Sequence, residues 1–497
     1  MALSPDNEIL AARALSQAMA AGDRPLAIRS ARVLERAGML APDARLLLLT
    51  EALRTRDWAD ARLHIDRIEK DQIFSFMTPV LRAWTAFDSK QGDPLAILDA
   101  AATAPVSGAY VGEHRPLMLL ALGREAEGIA GLAKVTADGG GRASRLRIAA
   151  AALLAKRGKR AEALGLLQGD EEPVAAARRL VEARKDLPGE IDSAAAGVAE
   201  FLVRIAIDLH RQDVTPLALT YARLATFLAP DNSETWLVTS ELLSARDQKS
   251  DALAVLGNIK PADPFASGLG DMRVKLLVAG GEQKKALAEA EAAVRRPAAA
   301  VADWTRLGDL YSELVRSDEA IRAYDRALAM DGAGAGPHPL WALHLLRGSA
   351  LHEAGRWPEA LAALETARKL APDNPVVLNY LGYAQLERRE NLGEAEKLIR
   401  EASRLQPDDA AITDSLGWAK YVRGDVPEAI GLLEKAVAGQ PADPAINEHL
   451  GDAYYSAGRR FEARYAWEAA LVHAEEKDAG RLRAKIDAGL KPELASP

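Results

Sequence analysis

The chain has 497 residues, 49% of them hydrophobic but only 5% aromatic, a formal net charge of −8 and no cysteine. The negative balance and the lack of a basic tract exclude a nucleic-acid groove, which needs a dense cationic face to displace counterions, and the missing thiols exclude disulfides, thiolate zinc sites and cysteine nucleophiles. The longest apolar run, Ile148 to Ala155, is far shorter than the roughly 20 residues that span a bilayer, so no membrane-spanning segment is expected.

From the N-terminus, the string ALSPDN at 2–7 matches LAPDN at 228–232 and 370–374. The chain thus opens on the end of a helical unit whose helices it lacks. This predicts that Met1 is a new start on a trimmed chain, periplasmic if the missing part held an export signal; with Met1 as the natural start, the protein is cytoplasmic. Residues 1–190 show apolar residues at i, i+3, i+4 and i+7, as in RLRIAAAALLAKRG at 145–158, which predicts helices. Gly22 with Ala27, Trp58 with Ala61 and Gly158 with Ala163 mark degenerate helical hairpins there. The stretch KDLPGEIDSAAAG at 185–197 reads as a joint between two arrays. Residues 191–300 hold divergent units starting near Ala199, Ser233 and Ser267, 34 residues apart, with Ala218, Ala225, Ala252, Ala286 and Ala293 on their second helices.

Residues 301–475 repeat more regularly. Gly308, Gly348, Gly382, Gly417 and Gly451 recur with Ala320, Ala360, Ala395, Ala429 and Ala463, small residues that let two helix backbones approach. Leu307, Leu346, Leu381, Leu416 and Leu450 fill the seam beside them. Gly355, Gly424 and Gly458 fit the left-handed turn between helices, and Pro230, Pro372, Pro407 and Pro441 close the units, since proline cannot continue a helix. GAGAGP at 332–337 reads as a loop inserted between units, because no strand precedes it to make a phosphate loop. Residues 476–497 place Leu482, Ile486 and Leu490 at i, i+4 and i+8 on a charged helix, a pattern suited to capping an array.

The run Trp304, Leu307, Gly308, Tyr311, then Ala320, Tyr324 and Ala327, resembles the tetratricopeptide repeat. The strings LNYLGYAQLERRENLGEAEKLIREA and INEHLGDAYYSAGRRFEARYAWEAAL resemble a long bacterial family of such proteins, whose members often look exported. The resemblance implies an all-α fold, an α-solenoid wound as a right-handed superhelix of about thirteen hairpins. A solenoid buries each unit against its neighbours, so its length is not limited by one core.

Catalytic signatures are missing. The eight histidines are scattered, His338, His344 and His352 have no acidic partners at ligand spacing, and no G-x-S-x-G string occurs. No catalytic centre, metal or cofactor is expected. In the resembled family, the second, fifth, ninth and twelfth positions of each first helix line a concave groove. Carried onto this chain, they give Asp309, His352, Asn379, Tyr383, Asp414, Trp418, Tyr421, Glu448, Asp452 and Tyr455. The family's chaperone-tail clamp uses Lys, Arg and Asn there; only Asn379 fits, so the groove is acidic and aromatic and favours a basic or aromatic protein or peptide segment. Trp418 and Tyr383 also suit packing between repeats. The expected function is a non-catalytic protein–protein interaction scaffold, in the bacterial envelope on the exported reading, and monomeric or weakly self-associating. A ligand- or peptide-sensing protein with a closed cavity and a self-associating structural subunit are the alternatives.

Overall fold

The computed structural model describes residues 7–137, 139–169, 171–296, 299–330 and 339–496. The opening string up to Asp6, the glycine-rich insertion and His338 lie outside them. Among the described residues there are twenty-eight α-helices and no strand. Two compact units, Met1–Ala290 and Glu291–Pro497, share the chain.

In the first unit α1 (Glu8–Ala21) pairs with α2 (Arg24–Arg36), α3 (Pro42–Thr55) with α4 (Trp58–Asp71), α5 (Thr78–Ser89) with α6 (Pro94–Ala100), α7 (Ser107–Ala121) with α8 (Glu125–Val135) and α9 (Gly140–Lys156) with α10 (Arg160–Leu166). A lone helix, α11 (Glu172–Glu182), and a non-helical stretch at 185–193 follow. The expected joint therefore lies inside the first unit. The array then resumes with α12 (Ala194–Arg211) and α13 (Thr215–Leu228), α14 (Ser233–Ala245) and α15 (Lys249–Leu256), and α16 (Leu269–Ala279) and α17 (Gln283–Val294), the last pair joined by Arg273 to Glu289 at 2.8 Å.

The second unit pairs α18 (Val301–Glu313) with α19 (Ser317–Met330), α20 (Leu340–Glu353) with α21 (Trp357–Leu370), α22 (Pro375–Glu387) with α23 (Leu392–Leu405), α24 (Ala410–Val422) with α25 (Val426–Gly439) and α26 (Pro444–Ser456) with α27 (Arg460–His473), and ends in α28 (Glu476–Ala488). The described helices thus make thirteen hairpins, eight in the first unit and five in the second, stacked as an α-solenoid within each unit, with α11 and α28 unpaired.

The glycine–alanine ladder has the geometry its spacing predicts. A Cβ on Gly308 would stand 2.5 Å from the Tyr324 ring, one on Gly382 2.7 Å from Ile399, and one on Gly417 2.8 Å from Leu433. Ala320, Ala360, Ala395, Ala429 and Ala463 are all fully buried on the facing helices. Each closing string also starts the next helix: Asn374, Asp409 and Asp443 accept main-chain N–H bonds from Val376, Ile412 and Ile446 at 2.9 to 3.0 Å, which satisfies donors that a helix start leaves open. At the C-terminus Leu482 is buried against Trp467 and Ala470, with Ile486 and Leu490 beside it.

Candidate partner groove

The expected groove residues fall on the first helices of the second unit's hairpins, and contacts link most of them. His352 Nε2 on α20 lies 3.7 Å from Glu387 on α22. One turn before Glu387, the Tyr383 ring is 6.5 Å from the His449 ring of α26. His449 Nδ1 donates to the Asp414 carboxylate, 3.0 Å from each oxygen, and the ring stacks on Trp418 at 4.2 Å. Trp418 stacks in turn on Tyr421 at 4.7 Å, and Tyr421 shares a hydroxyl bond with Ser456. Trp418 is buried, so its ring packs between repeats. Burial pushes the His449 imidazole down, but the Asp414 carboxylate more than offsets this and its pKa is raised.

Asp309 is held locally, accepting the Tyr324 hydroxyl at 2.8 Å. Asn379 precedes Tyr383 by one turn on α22, and its Oδ1 is buried without a hydrogen-bond partner among the described residues. Residues 379, 383 and 387 share one helix face. Burial raises the carboxyl of Glu387 and the hydroxyl of Tyr383.

The last three groove residues meet the chain's own C-terminus. Glu448 accepts a bidentate pair from Arg481 at 2.9 and 2.8 Å and a bond from Lys485 at 2.6 Å. Asp452 accepts from Lys485, from the Trp467 indole N–H at 2.9 Å, and from the main chain and hydroxyl of Ser496 at 3.0 and 2.9 Å. Gly489, with φ +80°, passes so close to the Tyr455 hydroxyl that a Cβ would overlap it. Burial raises the Glu448 carboxyl, yet Arg481 and Lys485 outweigh it and hold the pKa below the ordinary value.

The first unit holds a polar cluster that the sequence reading missed. Arg142 on α9 bonds Glu113 of α7 and Glu200 of α12 and lies 3.2 Å from Glu234 of α14. Arg145 adds a 3.0 Å pair to Glu200, and Arg204 a 2.9 Å pair to Glu113. Burial raises the Glu200 carboxyl, but Arg145 and Arg142 together outweigh it and hold it down; burial and the neighbouring Glu200 charge push Glu234 up. Beside the cluster, the Trp84 indole donates to His114 Nδ1 at 3.1 Å. A charge inside an apolar run, as at Glu200 in VAEFLV, is the signal that points to such a cluster.

Among the described residues no helix is long and apolar enough to cross a membrane, and no three His, Asp or Glu side chains are placed to hold a metal.

Residues 351–417 and 415–480 each match a family model described as tetratricopeptide repeat. The chain is similar to a thermophilic tetratricopeptide protein of Thermus thermophilus, at 23% identity over 38% of this chain and 98% of that one with a TM-score of 0.33. It is similar to PilF of Pseudomonas aeruginosa, at 18% over 39% and 86% with 0.31, and to MamA of Desulfovibrio magneticus, at 17% over 35% and 94% with 0.29. No curated protein matches it. Residues 351–480 are therefore tetratricopeptide repeats within an α-solenoid, an architecture that serves protein–protein interaction.

Proposed function

We propose that the chain is a non-catalytic scaffold that holds a basic or aromatic partner segment on the first-helix face of its C-terminal repeats, centred on Asn379, Tyr383 and Glu387 and flanked by His352 and Tyr421. The observation that carries this reading is the buried Asn379 Oδ1 with no donor among the described residues. A buried acceptor without a bond costs about 1–3 kcal/mol, and a partner's Lys or Arg would remove that cost. Glu387 strengthens the case: its carboxyl is half-buried and raised by that burial, and the imidazole 3.7 Å away, His352, has its own pKa lowered by burial and so supplies no fixed charge. Asp309, Asp414 and Trp418 support this face from within, and Glu448, Asp452 and Tyr455 end it where α28 and the tail dock.

Fluorescence anisotropy with two degenerate nonapeptide pools tests this, one rich in Lys, Arg and aromatic residues and the other acidic. The basic pool should bind, and Glu387→Lys should weaken it about ten-fold, the size of one charged hydrogen bond. Equal binding of both pools, or full binding by the variant, would sink the proposal.

A further inference from the structure

A second recognition site, independent of that face, lies in the first unit. Here a cleft of about 850 Å³ opens between the α9–α10 turn, the stretch after α11 and the loops that follow α13 and α15. Six consecutive residues, Lys185 to Glu190, line one wall. They belong to the only long non-helical stretch of the first unit among the described residues, 185–193. In a helical protein nearly every main-chain N–H is used, and buried ones almost always are. Yet from Asp186 to Ser193 none of the available N–H groups has an acceptor among the described residues.

The stretch is nevertheless fixed. The Arg145 guanidinium, anchored on buried Glu200, donates to the Gly189 carbonyl at 3.0 Å. Lys156 Nζ holds Glu190 at 2.7 Å and Asp192 at 2.8 Å. A non-helical segment whose N–H groups have no acceptor among the described residues, bent at Gly189 (φ +94°) and held in place beside a cleft, offers donors to a partner's main chain: the partner supplies the acceptors and the pocket reads its side chains. Preorganisation lowers the ordering cost of binding.

The charges select the partner. Arg160, Arg184 and Lys185 line the cleft with no ion-pair partner among the described residues, against two acids likewise without one, Asp186 and Asp263, the latter accepting the Phe265 N–H at 2.9 Å. The other charges are paired: Lys260 with Asp231 at 2.6 Å, and Lys156 with Glu190 at 2.7 Å. We infer that this cleft binds an acidic peptide in extended conformation, its carbonyls on the N–H groups of 186–193 and its carboxylates on Arg160, Arg184 and Lys185.

Amide hydrogen exchange on the full chain tests the inference directly. The probes are a degenerate acidic nonapeptide pool and a basic one, each at saturating concentration. The acidic pool should slow exchange at 186–193 at least ten-fold, while the basic pool leaves it unchanged. Arg160→Glu, Arg184→Glu and Lys185→Glu together, a variant checked by an unchanged melting temperature, should abolish the protection. Should that variant melt lower, Arg184→Gln alone must weaken the protection. No protection by the acidic pool, equal protection by both pools, or protection that survives charge reversal would overturn the inference. Exchange at α22 reports the proposed groove separately, so failure at one site is distinguishable from failure at the other.

Discussion

Lys485 Nζ lies 2.8 Å from each carboxylate oxygen of Asp452, and both side chains are fully buried. This pair, with Glu448 and Arg481, clamps α28 to the last hairpin. Removing one partner of a buried pair leaves an uncompensated charge and costs about 3–5 kcal/mol. Lys485→Ala should therefore release α28, and limited proteolysis should cut the variant first within 476–497. A cleavage pattern identical to that of the natural chain would contradict the clamp.

His114 makes the first unit acid-sensitive. Burial lowers its pKa to about 4 from 6.5, and the Trp84 indole needs the unprotonated Nδ1 as acceptor. Because the folded pKa lies below the unfolded one, its contribution is complete above pH 6.5 and is lost as pH falls toward 4. The full shift corresponds to about 3 kcal/mol. Urea midpoints should fall between pH 7.5 and pH 5, and His114→Gln should show a smaller fall.

His449 works in the opposite sense. Its pKa is raised in the folded chain, so its stabilisation is complete below pH 6.5 and lost as pH rises through the folded value. Asp414→Asn should remove this alkaline loss from the second unit's urea midpoint; an unchanged pH profile would mean that the pair contributes nothing.

Val315 occupies the left-handed turn position, at φ +57° and 81% exposed, where three of the second unit's other hairpins have Gly355, Gly424 and Gly458 and the fourth has Arg389 at φ +54°. A β-branched residue is strained there by about 1–2 kcal/mol, part of which glycine returns through its greater entropy when unfolded. Val315→Gly should stabilise the second unit by about 1 kcal/mol, measured as a shift in its denaturant midpoint.

Two glycines of neighbouring helices should respond oppositely to alanine. A Cβ on Gly451 would overlap the Trp467 indole, whereas one on Gly431 in α25 meets nothing within 4 Å. Gly451→Ala should destabilise by about 1–3 kcal/mol through overpacking, and Gly431→Ala should stabilise by about 0.5–1 kcal/mol as a better helix former. Thermal melts of the two variants settle the comparison.

The packing ladder was legible in the sequence because the same close crossing recurs in each of the five hairpins of 301–475 and demands a small residue each time, as at Gly382 against Ile399. The cap was legible from its stripe, Leu482, Ile486 and Leu490. The docking of Arg481 and Lys485 was missed although its signal was present: they follow Glu448 and Asp452 by 33 residues, one repeat. The Arg142 cluster left only one local signal, Glu200 inside an apolar run, and no pattern joined its members, since its acids come from three other helices up to 92 residues away. The stretch at 185–193 read as a joint because proline and glycine mark a break in helix but not which array it belongs to.

The most direct test of the scaffold reading is a photo-crosslinking residue placed at Tyr383 and, as a control, at half-exposed Thr366 on α21, with the chain expressed in its source cells. A defined protein trapped at 383 but not at 366, joined through a segment carrying Lys or Arg, is the predicted result. Crosslinks that are equal at the two positions, or that join 383 to acidic segments, would contradict it.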